Sequence, residues 1–174
     1  MKLTGIVYRA HNPRWAFLPD AGEGAALFGG RFNAKGVPAL YTSFRMETAW
    51  LEAQQGFAFK AQPMTMVAYN VDCTDIVDLT DPAENTRHGF VISDLATAWE
   101  LIASTGGIPP TWEISRRLRS SGAAGIIVPS FAPGADKGDR NAVFWDWSPV
   151  PDHQVRVIDD FQRLPANDAS WSSR

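Results

Sequence analysis

Gly29-Gly30-Arg31-Phe32-Asn33, followed by Leu40-Tyr41-Thr42 and then by Glu52, is the stretch on which the reading of this chain turns. Paired glycines let a backbone approach a ligand closely, and here they precede a guanidinium that can fork onto phosphate oxygens. Val37–Ser43 reads as a short strand bearing Tyr41, and Ser43 as the cap of a helix running to about Gly56. On that helix Met46, Ala49, Trp50 and Ala53 form an i, i+3, i+4, i+7 apolar stripe. Glu52 falls about 120° from Met46 around the helix axis, at the border of the buried face, where a carboxylate can look into a cleft. Glu47, in the first turn, suits a helix-dipole role.

An arginine, an aromatic ring and an acid in this order suit NAD+ as a substrate. Arg31 would hold the pyrophosphate and Tyr41 would stack on nicotinamide. Glu52 would stabilise the oxocarbenium-like ribose cation that forms as the glycosidic bond breaks. Ser130, at the end of a buried strand, would bond the ribose or the nicotinamide amide. Asn141 and Arg9 would orient the site or touch phosphate, and Tyr8 and Asn33 belong to its shell. The expected catalytic set is therefore Glu52, Arg31 and Tyr41, with Ser130, Asn141, Arg9 and Asn33 joining Arg31 and Tyr41 in binding. His11 and His88 read as surface loop residues.

Outward from this stretch, Leu3–Ala10 reads as an opening strand, and Asn12–Gly30 as irregular with a turn of helix near Glu23–Leu27. Met64–Val71 and Asp75–Leu79 read as strands, and Ser93 as the cap of one helix over Asp94–Ala103. Pro109-Pro110 introduces a further helix that ends at Ser120-Ser121-Gly122. Ala124–Val128, Ala142–Trp147 and Gln154–Ile158 read as the last strands. Strands outnumber helices without alternating with them, which predicts an α+β fold. No break in composition divides the chain, so residues 1–164 are expected to form one domain and 165–174 a mobile tail.

Composition narrows the function classes. The chain has 174 residues, 45% of them hydrophobic, enough for a sizeable core without metal or disulfide staples. Seven Trp and ten Phe exceed what a core of this size needs, and some are expected at a ligand slot or an interface. A net charge of −3 argues against direct nucleic-acid binding, and the run Arg116-Arg117-Leu118-Arg119 reads as a solvated helix face. Cys73 stands alone and the three histidines are scattered, so neither a disulfide nor a metal site is expected. No G-x-G-x-x-G turn, phosphate-loop motif or G-x-S-x-G elbow occurs. No apolar run has the length of a signal peptide or a membrane span, so a cytoplasmic protein is expected.

Several motifs resemble the RES domain, the toxin half of a bacterial toxin–antitoxin class whose antitoxins resemble Xre-type repressors. They are Val7-Tyr8-Arg9-Ala10, Gly22-Glu23-Gly24-Ala25, Gly29 to Gly36, Leu40-Tyr41-Thr42-Ser43, Ala49-Trp50-Leu51-Glu52, Gly125 to Ser130, and Arg140-Asn141-Ala142-Val143-Phe144. The likeness spans about residues 5–160. It implies an ADP-ribosyltransferase-like fold with split β-sheets around an NAD cleft and flanking helices. It also implies consumption of NAD+, with a protein, water or phosphate as the ADP-ribose acceptor, and an Xre-like antitoxin as partner. Phe32 stands where Trp is frequent in that family. In many ADP-ribosyltransferases a second acid lies two residues before the catalytic Glu; here that position is Trp50, which disfavours an arginine acceptor. A ribonuclease toxin and a non-catalytic antitoxin-binding module are the competing readings.

Overall fold

Leu3–His11 turns Leu3, Val7 and His11 inward and forms the first strand, β1. The computed structural model describes residues 1–54 and 61–171. After β1 come helix α1 (Glu23–Phe28), strand β2 (Leu40–Ser43) and helix α2 (Met46–Gln54). Strands β3 (Thr65–Cys73) and β4 (Ile76–Asp78) precede helices α3 (Pro82–His88), α4 (Ile92–Leu95), α5 (Trp99–Ser104) and α6 (Pro110–Ser120). Strands β5 (Gly125–Pro129), β6 (Arg140–Phe144) and β7 (His153–Val157) complete the sheet.

The seven strands form one sheet in the order β4-β5-β6-β2-β1-β3-β7. β4 and β5 are parallel and every other pair is antiparallel. The α+β class holds, but the two split sheets expected are one sheet with a weak seam. β1 pairs with β3 from Leu3 to His11, whereas it meets β2 only where Tyr8 faces Ser43. β-strand alternation then gives two cores. Val7, Leu40, Tyr69, Ile127 and Phe144 pack on one face. Ile126, Val128 and Val143 meet Leu95, Ile114 and Leu118 of the helices on the other.

Several local expectations change for physical reasons. Ser43 does not cap α2; it ends β2, and its hydroxyl donates to Asn141 instead. The apolar stripe on α2 buries Ala49, whereas Met46 and Trp50 are half or more than a third exposed, at 51% and 37%. Small side chains, Thr48 and Ala49, are what let this short helix lie close to the strands. The predicted end of that helix near Gly56 lies outside the described residues. The single helix expected over Asp94–Ala103 is broken into α4 and α5. Helix α3 was not anticipated, although its signals are plain: Asp81 accepts the Ala83 N–H at 2.8 Å, Pro82 opens the first turn, and Gly89 closes it at φ +69°. In the expected tail, Ala169–Trp171 forms a 3-10 turn, and residues 172–174 lie outside the description. No helix among the described residues is long and apolar enough to cross a membrane.

His11 is not a surface residue. It is 5% exposed, and its Nε2 lies 2.8 Å from the Tyr69 hydroxyl, which in turn donates to the Pro19 carbonyl. That hydroxyl has one proton to give, so His11 Nε2–H is the donor between them. Burial, helped by the charge of Arg9, pushes the imidazole down to about 3. The folded state thus binds this proton less readily than the unfolded chain, whose histidine titrates near 6.5. Stability is therefore complete above pH 6.5 or so and falls as pH drops from there toward about 3. Urea midpoints measured from pH 7 to pH 4 should fall in the wild type and fall less in His11→Gln. Parallel curves would mean that His11 does not set the acid limb.

Candidate active site

The seam between β1 and β2 opens into a cleft of about 370 Å³, within the usual range for small-molecule sites. Tyr8 and Arg9 line it from β1, Tyr41, Thr42 and Ser43 from β2, and Glu52 from α2. Gly30, Arg31, Asn141 and the start of α5, Trp99 and Glu100, complete the wall.

The glycine turn is built around Asn33 and Tyr41. Gly29 ends α1 at φ +75°, a conformation that favours glycine. A Cβ on Gly30 would stand 2.5 Å from the Tyr41 hydroxyl and 2.6 Å from Asn33 Oδ1. Asn33 is buried, donates its amide to Ala25 and Val37 carbonyls at 2.8 and 2.9 Å, and accepts from Tyr41 at 2.7 Å. The same hydroxyl accepts the Phe32 N–H at 2.9 Å. Burial raises the Tyr41 pKa above its ordinary value, against the smaller effects of that N–H and of Arg31. Tyr41 thus offers the cleft a ring, not a proton. From outside the turn, Trp112 Nε1 donates to the Gly30 carbonyl at 2.7 Å, and its ring lies 6.5 Å from that of Trp99.

Arg31 is anchored by the break between α4 and α5. Its Nη1 donates to the carbonyls of Leu95 at 3.2 Å and Thr97 at 2.7 Å, and its guanidinium lies over Phe131, 4.5 Å from the ring centre. A continuous helix would have used those carbonyls internally. Desolvation lowers the Arg31 pKa, while Glu52, Tyr41 and Glu100 oppose it, and an arginine so placed stays charged. Arg9 donates to the Ala21 carbonyl at 3.2 Å and is likewise lowered by burial, with Tyr69 opposing.

Glu52 is held by two donors on one oxygen. Ser130 Oγ donates to Oε1 at 2.6 Å and Asn141 Nδ2 at 2.5 Å. Asn141 is fixed in turn, because its Oδ1 accepts from Ser43 Oγ at 2.7 Å, directly across the β2–β6 register. Ser43, Asn141, Glu52 and Ser130 make a chain of hydrogen bonds that holds the Glu52 carboxyl group at the cleft wall. Charge-assisted bonds of this kind are the strong ones.

Arg31, Tyr41, Glu52, Asn141 and Arg9 of the expected set thus share one cleft. Ser130 and Asn33 stand behind its wall, their polar atoms engaged by Glu52 and by the glycine turn, so they position groups there. Ser43, Trp99 and Glu100 were missed. Ser43 could have been found by strand register; the other two lie on a helix whose start the sequence does not mark, since Ala98 gives it no side-chain cap. Among the described residues no cluster of three or more His, Cys, Asp or Glu could hold a metal ion.

The chain belongs to the RES domain family, whose model matches residues 6–167. Among solved structures, a chain from the crystal structure of the M. tuberculosis MbcT-MbcA toxin-antitoxin complex aligns with a TM-score of 0.61 at 22% identity, over 91% of this chain and 84% of that one. At that identity the likeness is one of fold. The comparison with curated proteins gives no match.

Tyr41→Phe should strand the Phe32 N–H and Asn33 Oδ1 at once, and cost about 1–3 kcal/mol of folding stability. Chemical denaturation measures this; a variant as stable as the wild type would show that the turn does not depend on the hydroxyl.

Proposed function

We propose that this protein is the toxin of a toxin–antitoxin pair and that it cleaves the nicotinamide–ribose bond of NAD+, passing ADP-ribose to an acceptor. The observation that carries the reading is Glu52 in the cleft wall, its Oε1 gripped by Ser130 and Asn141. A carboxylate preorganised in this way stabilises a cation that develops beside it without reorganising at the moment of reaction. Arg31 and Arg9 supply positive charge for the pyrophosphate, and the ring of Tyr41 supplies a face for nicotinamide. Nicotinamide leaves as a neutral base once its glycosidic bond breaks, so the chemistry calls for no strong nucleophile. Membership of the RES domain family and the fold shared with a chain of a toxin–antitoxin complex favour the toxin reading. The partner is then an Xre-like antitoxin, and the site of action the cytoplasm. The acceptor is a protein side chain, water or phosphate.

The test is release of free nicotinamide from NAD+ by the purified protein in cell lysate, with protein-bound ADP-ribose followed in parallel. Glu52→Gln should lower the release rate by about 10²–10³-fold. Release matched by labelling identifies a protein-modifying transferase; release far above labelling, raised or not by added phosphate, identifies bulk NAD+ destruction. Folded wild type that gives neither product sinks the NAD+ reading, and loss of RNA in the same lysate would put a ribonuclease in its place.

A further inference from the structure

The two donors to Glu52 stand at the two ends of one loop. Ser130 follows β5, Asn141 lies in β6, and the segment between them turns back beside α2. Asp139, just before β6, is a charged residue buried at that junction, its side chain 4% exposed. Its Oδ1 accepts from Arg45 Nη1 at 3.0 Å, and its Oδ2 accepts the Asp136 N–H at 2.9 Å. Its backbone closes the loop as well, with the carbonyl accepting the Ser130 N–H at 2.8 Å and the N–H donating to the Asp136 carbonyl at 3.0 Å. Arg45 immediately precedes α2 and reaches Asp136 Oδ2 at 3.5 Å. The buried hydroxyl of Thr48, one helical turn before Glu52, lies by the same carboxylate without closing a hydrogen bond of good geometry. The Asp136 N–H, against desolvation and aided by Thr48 and Arg45, holds the Asp139 carboxyl below the usual carboxylate range, so it is charged at neutral pH.

A buried charge is expensive unless it is well partnered, and a merely space-filling side chain here would be apolar. The partners chosen are informative. One, Arg45, stands at the start of the helix that carries Glu52; the other, Asp136, lies in the loop between its donors.

We propose that Asp139, tied to Arg45, is a positioning residue for Glu52: it pins the Ser130–Asn141 loop to the start of α2, so that Ser130 and Asn141 meet the carboxylate at fixed geometry. The side chains of Asp139 and Arg45 lie outside the lining of the cleft and bond neither Arg31, Arg9 nor Tyr41. Its loss is therefore expected in turnover and not in affinity. The catalytic consequence rests on the NAD+ reading above, whereas the positional one does not.

The experiment uses the full chain as wild type, Asp139→Asn and Arg45→Ala. Nicotinamide release is measured against NAD+ concentration, well below each variant's melting temperature. Alongside it runs the carboxyl ¹³C signal of Glu52, assigned by its absence in Glu52→Gln. Asn at position 139 keeps the volume but sets an amide donor against donors. A displacement of about 1 Å at a reacting group can cost on the order of 10²-fold in rate, so kcat should fall by about that factor while KM for NAD+ holds and the Glu52 signal moves. Arg45→Ala, which removes an exposed guanidinium, should show the same split to a smaller degree. A folded Asp139→Asn protein with unchanged kcat overturns the proposal, as does one in which kcat falls and KM rises together. If Asp139→Asn does not fold, Arg45→Ala decides: unchanged turnover and an unmoved Glu52 signal reject the clamp. If the wild type releases no nicotinamide, the NAD+ reading fails on its own, and the Glu52 signal in Asp139→Asn alone upholds or rejects the positional role.

Discussion

A carboxyl group set into the wall of a cleft needs partners in place of the water it loses, and much of this fold follows from supplying them to Glu52. Ser130 and Asn141 come from the ends of β5 and β6, so α2 has to lie over that end of the sheet. That placement requires small residues, Thr48 and Ala49, where α2 approaches the strands. With its Nδ2 turned to Glu52, Asn141 leaves its Oδ1 to accept from the Ser43 hydroxyl across the strand pair, which holds the amide in place. The β2–β6 register is thus part of the site, since a slip of one residue would put Ser43 and Asn141 on opposite faces of the sheet.

The same economy of partners governs the opposite wall. Arg31 has to stay extended across a partly desolvated gap, and two carbonyls at the α4–α5 break hold it there. A helix interrupted after Leu95 is poorer in internal hydrogen bonds than a continuous one, and Arg31 Nη1 makes good part of that loss. Asn33 does for the glycine turn what Arg31 does for the break, its amide serving the carbonyls of Ala25 and Val37, while the Tyr41 hydroxyl accepts the Phe32 N–H and donates to Asn33. The weak seam between β1 and β2 belongs with these features. Strands fully zipped there would leave no room for a cleft, and the single Tyr8–Ser43 pairing keeps the sheet continuous while letting it part.

What was legible in the sequence was what local chemistry and spacing determine. The β-branched start of Leu3–Ala10, the continuous apolar run of Ala124–Val128 and the stretch from Gly29 to Glu52 led to strands that form and to residues that line one cleft. What was not legible depends on partners far away in the chain. Ser43 looks like a helix cap because it is a serine before a helix; only its register against Asn141 reveals otherwise. His11 looks like a loop histidine beside Asn12 and Pro13, and its burial follows from Tyr69, which no local pattern brings near. Asp94–Ala103 has the composition of one helix, and the break that divides it makes sense only once Arg31 is seen to use the freed carbonyls.

The distribution of roles among polar residues argues that the cleft was built from behind. Ser130, Asn33 and Asp139 make their hydrogen bonds to protein groups, and each fixes a residue that faces the cleft or the segment that carries it; Ser43, itself in the cleft wall, does the same for Asn141. A site shared among strands, a glycine turn and short helices has no single element to hold it rigid, so its precision has to come from such a supporting shell. That shell is also where chemistry is hardest to recognise from sequence. A serine or an aspartate that acts through a neighbour leaves no spacing of its own, and its role can be read only from the residue it holds.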